Sequence, residues 1–276
     1  MNVPRYLPFL DGPALVAPRM KPINEADWLP PHKGEAEWLQ EKRSLLTHQA
    51  DQVFAIHDWA EDAATSAAGQ VTKHLNQFRP DLPELEAGLS LKDVSQYVSD
   101  DLCVMVNRDG LYCLGAAILC APTFWALVDK AGKPLGGLHE EVPGGDPELA
   151  SRISRIFSNL PQNAILERFN WTVQLGPERF TPSSGPMKAR LREMEPEAAA
   201  RELYLRVERQ TIRKLDDGSS VLFTIRILID PLPPLLERAD HRTAFEESWN
   251  RTAADLASYK GWPHYEAAVR CLMAAG

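Results

Sequence analysis

The chain has 276 residues, 44% of them apolar and 25% charged, with a formal net charge of −8. That length suits one large domain with helical decoration, and the composition is ordinary for a globular protein. The acidic balance argues against a general nucleic-acid binder, which shows a basic stripe, and against adsorption to anionic membranes.

No apolar run reaches the roughly 18 residues needed to span a bilayer, and no apolar stretch near Met1 precedes a small-residue cleavage site. The four cysteines are Cys103, Cys113, Cys120 and Cys271. None forms a C-x-x-C pair, so neither zinc nor an iron–sulfur centre is expected on this chain. Their apolar neighbours suggest reduced, buried thiols and a cytoplasmic protein.

Residues 1–34 carry Pro4, Pro8, Pro13, Pro18, Pro22, Pro30 and Pro31. That density favours an extended arm over a regular element. Tyr6, Phe9 and Trp28 give the arm a means of lying against the rest. Residues 35–78 read as helical, because Trp38, Leu45, Leu46, Val53, Ile56, Ala60, Ala63, Ala64 and Ala67 recur at helical spacing. His48, His57 and His74 lack ligand spacing with one another and read as surface or partly buried residues. Pro80 and Pro83 end the region. Ser90, with Asp93 three residues on, suits the N-cap of a short helix to Tyr97.

Leu102–Val106 and Leu111–Leu119 are β-prone runs, and Asn107-Arg-Asp-Gly110 between them signals a hairpin. Phe124-Trp125 leads into the stretch Gly132–Asp146, which holds His139 among five glycines and two prolines. It reads as a loop. Asp146-Pro147-Glu148 is a helix start, with Asp146 as N-cap. Leu149, Ile153, Ile156, Phe157 and Leu160 form one face of that helix.

From Leu166 the pattern alternates. Phe169, Trp171, Val173 and Leu175 face one way; Arg168, Asn170, Thr172 and Gln174 face the other. A polar, proline-containing loop covers 176–200. Leu203–Leu215 and Ser220–Ile229 are two more strands, and Pro231, Pro233 and Pro234 stop the sheet. Thr243–Met273 is amphipathic helix broken around Gly261-Trp-Pro263.

The plan is α+β: an antiparallel sheet of about five strands, with N-terminal and C-terminal helical extensions. A PAS-like core fits, with two strands, a helical middle and three further strands in one sheet around a cavity. The expected organisation is an arm over 1–34 and one PAS-like domain with flanking helices over 35–276.

The last hairpin permits a geometric argument. If Asp217-Gly218 forms its turn, Arg209 lies opposite Arg226 and Thr211 opposite Thr224. Like charges placed so are destabilising by a few tenths to about 1 kcal/mol. Two adjacent guanidiniums make sense if they clamp a carboxylate or phosphate. The alternatives are simple exposure on a solvated face, or a register shifted by one that pairs Glu208 with Arg226.

A neutral imidazole such as His139 is a normal axial ligand to haem iron. The apolar approach through Phe124, Trp125, Leu127, Val128, Leu135 and Leu138 suits a pocket lining, with Trp125 and Leu138 as candidate cofactor contacts. Idle exposure of His139 is the alternative. Arg168 and Asn170 either face the same cavity or form an exposed polar edge. No G-x-S-x-G, H-E-x-x-H, P-loop or G-x-G-x-x-G occurs.

Several stretches together resemble one family. Leu138-His139, followed by Val142-Pro143-Gly144, resembles the I-H-x-P-V-P-G segment of the haem-dependent oxidative N-demethylase alpha-subunit family. So do Ser151–Phe157, Arg168-Phe-Asn-Trp171, Leu205–Thr211, Leu222–Arg226, Lys42-Arg43 and Tyr259-Lys260-Gly261. The resemblance runs from about residue 20 to 270 and implies a PAS-like fold binding haem b. It implies a haem-dependent mono-oxygenase that uses O2 to demethylate a small secondary amine, dimethylamine, to the primary amine and formaldehyde.

Carried over, His139 is the axial iron ligand, and Arg209 and Arg226 hold the propionates. Partner subunits would bring electrons through flavin and an iron–sulfur centre. Glu141 departs from the family's proline. A haem-based PAS-like sensor and a haem-free small-molecule binder remain alternative readings.

Overall fold

Among the residues described by this computed structural model, 6–16 and 19–274, seven strands form one antiparallel sheet. They are β1 Lys21–Ile23, β2 Phe54–Ile56, β3 Asp101–Arg108, β4 Leu111–Ile118, β5 Ile165–Leu175, β6 Leu203–Lys214 and β7 Val221–Pro231. Their order is β1-β5-β6-β7-β3-β4-β2. The α+β class and the antiparallel sheet are as expected, but seven strands replace the expected five or so. Both extra strands are edge strands of three residues, too short for a period-two pattern to show. One of them, β1, lies in the arm read as having no regular element. The other, β2, interrupts the region read as continuous helix.

Local chemistry accounts for the turns. Asp109 and Gly110 have φ of 52° and 87°, the left-handed pair that a two-residue hairpin turn requires. The loop between β6 and β7 is closed by Asp217, whose Oδ1 accepts the Ser219 and Ser220 N–H groups at 2.8 and 2.7 Å. The predicted register holds, with Arg209 opposite Arg226 and Thr211 opposite Thr224. The predicted cap also forms: Ser90 and Asp93 make a capping box for Leu91–Val94. The stretch read as loop over 176–200 contains the helices Gly185–Arg192 and Pro196–Arg201.

Alternation divides the sheet into two faces. Thr211, Thr224 and Leu102 are aligned across β6, β7 and β3 on one face. The arm, the helix Glu61–Phe78 and the C-terminal helices pack here. The C-terminal contribution is Phe245, Trp249 and Trp262 against Trp171, Leu205 and Val207. The other face is covered by the connection between β4 and β5. There, Phe157 of the helix Ala150–Asn159 meets Tyr112 edge-on at 5.1 Å.

The arm is built into the first face. Phe9, Trp28 and Leu29 are fully buried, each worth about 1.5–3 kcal/mol. Trp28 Nε1 donates to Thr211 Oγ1 at 3.1 Å. Arg209 donates to the carbonyls of Trp28 and Asp27 at 2.7 and 2.5 Å, and to Glu167 Oε1 at 2.5 Å. Arg226 donates to Asp100 Oδ2 through Nε and Nη2 at 2.9 and 2.5 Å, and to the Pro30 carbonyl at 2.5 Å. The two adjacent guanidiniums are therefore divided between separate internal acceptors. His74 is also buried here, with Trp28 edge-on at 4.9 Å. That corrects the expectation of a surface or partly buried residue, because the ring lies on the same helical stripe as Val71 and Leu75.

Two outcomes follow. Arg226→Met leaves Asp100 buried without its cation, which should cost about 3–5 kcal/mol. The loss should appear as a lower urea midpoint with no ligand added; an unchanged midpoint would contradict the structural role. Burial holds the His74 imidazole below its ordinary value of 6.5 against the pull of Glu25. The fold thus keeps the neutral ring, so this stability is complete above that value and declines as pH falls below it. Between about pH 7.5 and about pH 5.5, His74→Leu should lose less urea resistance than the wild type. Equal losses would refute the assignment.

Candidate functional site

The connection from β4 to β5 builds the site. Its first part lies beside β4: Leu114 N–H donates to the Lys133 carbonyl at 3.0 Å, and Gly132 N–H to the Leu114 carbonyl at 2.8 Å. Pro134 then opens a one-turn helix, Leu135–His139. The stretch read as a loop is thus partly helical, and His139 is the last residue of that turn. Two further turns follow, with Val142 N–H on the His139 carbonyl at 2.9 Å and Gly145 N–H on Val142 at 2.7 Å.

The next helix begins two residues earlier than expected, with a wide π turn over Gly145–Leu149 ahead of Ala150–Asn159. Gly144 precedes it at φ 66°, in the N-cap place expected for Asp146; the Asp146 side chain lies outside the described residues. A Cβ on Gly145 would collide with the His139 carbonyl oxygen. The two glycines therefore have different reasons: one is conformational, the other is close approach.

His139 Nδ1 lies 2.8 Å from the Leu135 carbonyl oxygen. A carbonyl can only accept, so Nδ1 carries the proton. Nε2 makes no hydrogen bond among the described residues and is left with its lone pair. Burial lowers the pKa of the ring; the Leu135 carbonyl opposes this, and the charges of Arg168 and Lys130 add to it. The result is a neutral imidazole with one orientation and one open nitrogen. Trp125 and Leu138 pack against the apolar cluster that includes Leu135 and Phe157.

Arg209 and Arg226 are not part of this group. Arg168 pairs with Gln210 across β5 and β6, so the neighbouring Arg209 projects from the opposite face. Arg226, aligned with Arg209, does the same. Their donors are engaged by the arm, Glu167 and Asp100, and the sheet separates them from Arg168 and its electrostatic partner His139, so the structure does not bring the expected propionate pair together with His139.

The polar residues on the His139 side are Arg168 and Asn170 of β5, Glu208 and Gln210 of β6, and Lys260 after the helix Ala254–Tyr259. Asn170 Nδ2 and Gln210 Nε2 donate to Glu208 Oε2 at 3.1 and 2.7 Å. Burial raises the pKa of Glu208, but hydrogen bonds from Thr123 and Asn170 and the charges of Arg206 and Lys260 outweigh it, leaving the value below the usual range. Lys260 Nζ donates to Asn170 Oδ1 and the Trp171 carbonyl, both at 2.8 Å. Burial brings its pKa down to about 8, opposed by Glu208 and helped by Arg168. Arg168 has its Nε buried without a hydrogen-bond partner.

Arg206 anchors the adjoining loops. It donates to Thr123 Oγ1, Gln174 Oε1 and the carbonyls of Ala121, Pro122, Glu178 and Arg179. These bonds fix the chain just ahead of Trp125, where Phe124 has φ 63°. Sequence reading assigned no role to Arg206 or Lys260 and placed Glu208 only in a shifted ion pair. A signal existed: Arg206, Glu208 and Gln210 form an alternating polar row opposite Thr172, Asn170 and Arg168. A cleft of about 410 Å³ between Trp249, Trp262 and Arg270 contains none of these residues.

Haem chemistry asks for a neutral axial donor and for cations near the macrocycle's carboxylates. His139, Arg168 and Lys260 fit that requirement. Among the described residues no three His, Cys, Asp or Glu side chains converge as a metal site. Residues 87–270 match a family described as haem-dependent oxidative N-demethylase, alpha subunit-like. The match contains β3 to β7, His139 and Lys260, and omits the arm and the first two long helices.

Gly145→Ala should cost about 1–3 kcal/mol, the range for overpacking, and displace the His139 segment. Gly144→Ala has open space around its Cβ and should cost about 1–2 kcal/mol through its left-handed backbone alone. Denaturant midpoints check the costs. Amide exchange at 135–142 should accelerate in the Gly145 variant; equal exchange in both variants would contradict the close-approach argument.

Proposed function

This chain belongs to the haem-dependent oxidative N-demethylase alpha subunit-like family, and from that premise we propose that it binds haem b and removes an N-methyl group from a small secondary amine of the dimethylamine type. The products are the primary amine and formaldehyde. The observation that carries the reading is His139, whose Nδ1–H is fixed on Leu135 and whose Nε2 is open. A ligating histidine is normally oriented in this way by a donor bond from its other nitrogen.

The PAS-like reading draws support from the five central strands: the hairpin β3-β4, a helical connection, and β5, β6 and β7 in the same sheet. Haem supplies activation of O2 when bound. The residues of this chain do the rest. His139 presents a neutral nitrogen, and Trp125, Leu135 and Leu138 shield that region from water. Glu141 is exposed at the turn after His139.

Overall, dimethylamine, O2, two electrons and two protons become methylamine, formaldehyde and water. The electrons require a donor, which we assign to a partner subunit carrying flavin and an iron–sulfur centre; an alpha-subunit family is consistent with such a partner. No helix among the described residues is long and apolar enough to cross a membrane. The free thiols of Cys103, Cys113, Cys120 and Cys271 support a reducing, cytoplasmic setting.

The test is a visible spectrum of the purified protein, with and without added haem, followed by O2 uptake with dimethylamine and a reductant. A Soret band, formaldehyde formation and at least a roughly 10–100-fold loss of haem affinity in His139→Ala are expected. Protein that stays colourless after haem addition would sink the proposal. Haem binding without any amine-dependent O2 uptake would leave a sensor in its place.

A further inference from the structure

We propose that Arg168 and Lys260 form an anion pocket beside His139 that receives a carboxylate, which on the haem reading above is a propionate of the cofactor. This inference rests on that reading for the identity of the carboxylate, but not for the pocket itself.

Arg168 projects from β5 on the face opposite Arg209 and Arg226. Its Nε is buried and has no hydrogen-bond partner. The guanidinium makes no other hydrogen bond among the described residues. Leaving such a group buried and unpaired is unfavourable, and folds that retain one commonly do so for a ligand. Glu208 influences Arg168 electrostatically, but its Oε2 is already taken by Asn170 and Gln210, and no salt bridge joins the two. Arg168 therefore has charge compensation at a distance and unused donors close at hand.

Lys260 is the second cation. Two of its bonds go to Asn170 Oδ1 and the Trp171 carbonyl, and an ammonium has three donors. One remains for a ligand. The third nearby cation, Arg206, is fully engaged by neutral oxygens. Arg168, Lys260 and Arg206 thus face Glu208, with Asp101 further along the same face already held by the N–H groups of Cys120 and Ala121. The charges of both Arg168 and Lys130 reach His139, and Glu141 acts on Tyr259 next to Lys260. A planar guanidinium fork matches a carboxylate in two-pronged fashion, with the ammonium adding a point charge.

The experiment is a Soret titration with haem b and with its dimethyl ester, using wild type, Arg168→Gln and Arg168→Lys. Wild type should prefer the free acid by roughly 10–100-fold, the range of charge-assisted bonds. Arg168→Gln should abolish that preference, and Arg168→Lys should restore part of it. Without any porphyrin, Arg168→Gln should keep or raise the urea midpoint, which a purely structural arginine would not do. An acid-to-ester ratio unchanged in Arg168→Gln, with both porphyrins binding, overturns the pocket while the haem reading stands. Absence of any Soret band with either porphyrin in wild type overturns the haem reading and the propionate assignment with it. Equal binding of acid and ester in wild type, with sodium propionate raising the melting midpoint of wild type but not of Arg168→Gln, assigns the pocket to a free carboxylate and overturns the cofactor assignment.

Discussion

Strand β6 carries charge on both faces, and period-two alternation keeps the two sets apart. Arg206, Glu208 and Gln210 point one way; Arg209 and Thr211 point the other. Most strands in a layered fold put charge on a solvated side. Here helices or connections cover both sides, so every polar group on β6 must find an internal partner. The arrangement of the molecule follows from how each face meets that requirement. On one side the partners are backbone carbonyls of the arm and the carboxylates of Glu167 and Asp100. On the other they are loop carbonyls, amide side chains and Lys260.

The arm is the larger consequence. Its prolines remove backbone donors, but its carbonyls remain as acceptors. Arg209 takes those of Asp27 and Trp28, and Arg226 takes that of Pro30. A proline-rich segment is well suited to satisfying arginines, because it offers acceptors in an extended backbone with few competing N–H groups. Trp28 adds apolar burial and a hydroxyl bond to Thr211. This gives a physical reason for two arginines to stand side by side without an external anion.

The elements with local signatures were legible. The Asp-Gly hairpin, the Ser90 cap, the long strand from Leu166 and the β6-β7 register each depend on residues within a few positions of one another, and each forms as read. The helix after the His139 segment was legible in its body but not at its start, where a π turn and a left-handed glycine replace the expected cap. The two short edge strands were not legible, because three residues cannot display a period. Nor was the destination of Arg209 and Arg226: the register showed that they are adjacent, but which segment lies over them depends on long-range packing. Lys260 was hidden for the same reason, since it reaches Asn170 over a sequence separation of 90.

The distribution of charge bears on what this face can hold. A neutral His139 with an open nitrogen could by itself serve many ligands. Arg206 is already saturated, and Glu208 is held by amides, so neither is available to a newcomer. Arg168 and Lys260 are cations with donors to spare, as is Lys130, whose Nζ bonds only the Gly137 carbonyl among the described residues. On the proposed reading, a partner for this face is anionic at one end, and apolar enough elsewhere to lie against Trp125, Leu135 and Leu138. It must also bring an atom that accepts an imidazole lone pair. On that reading a flat metalloporphyrin with carboxylates at one edge meets the three demands together.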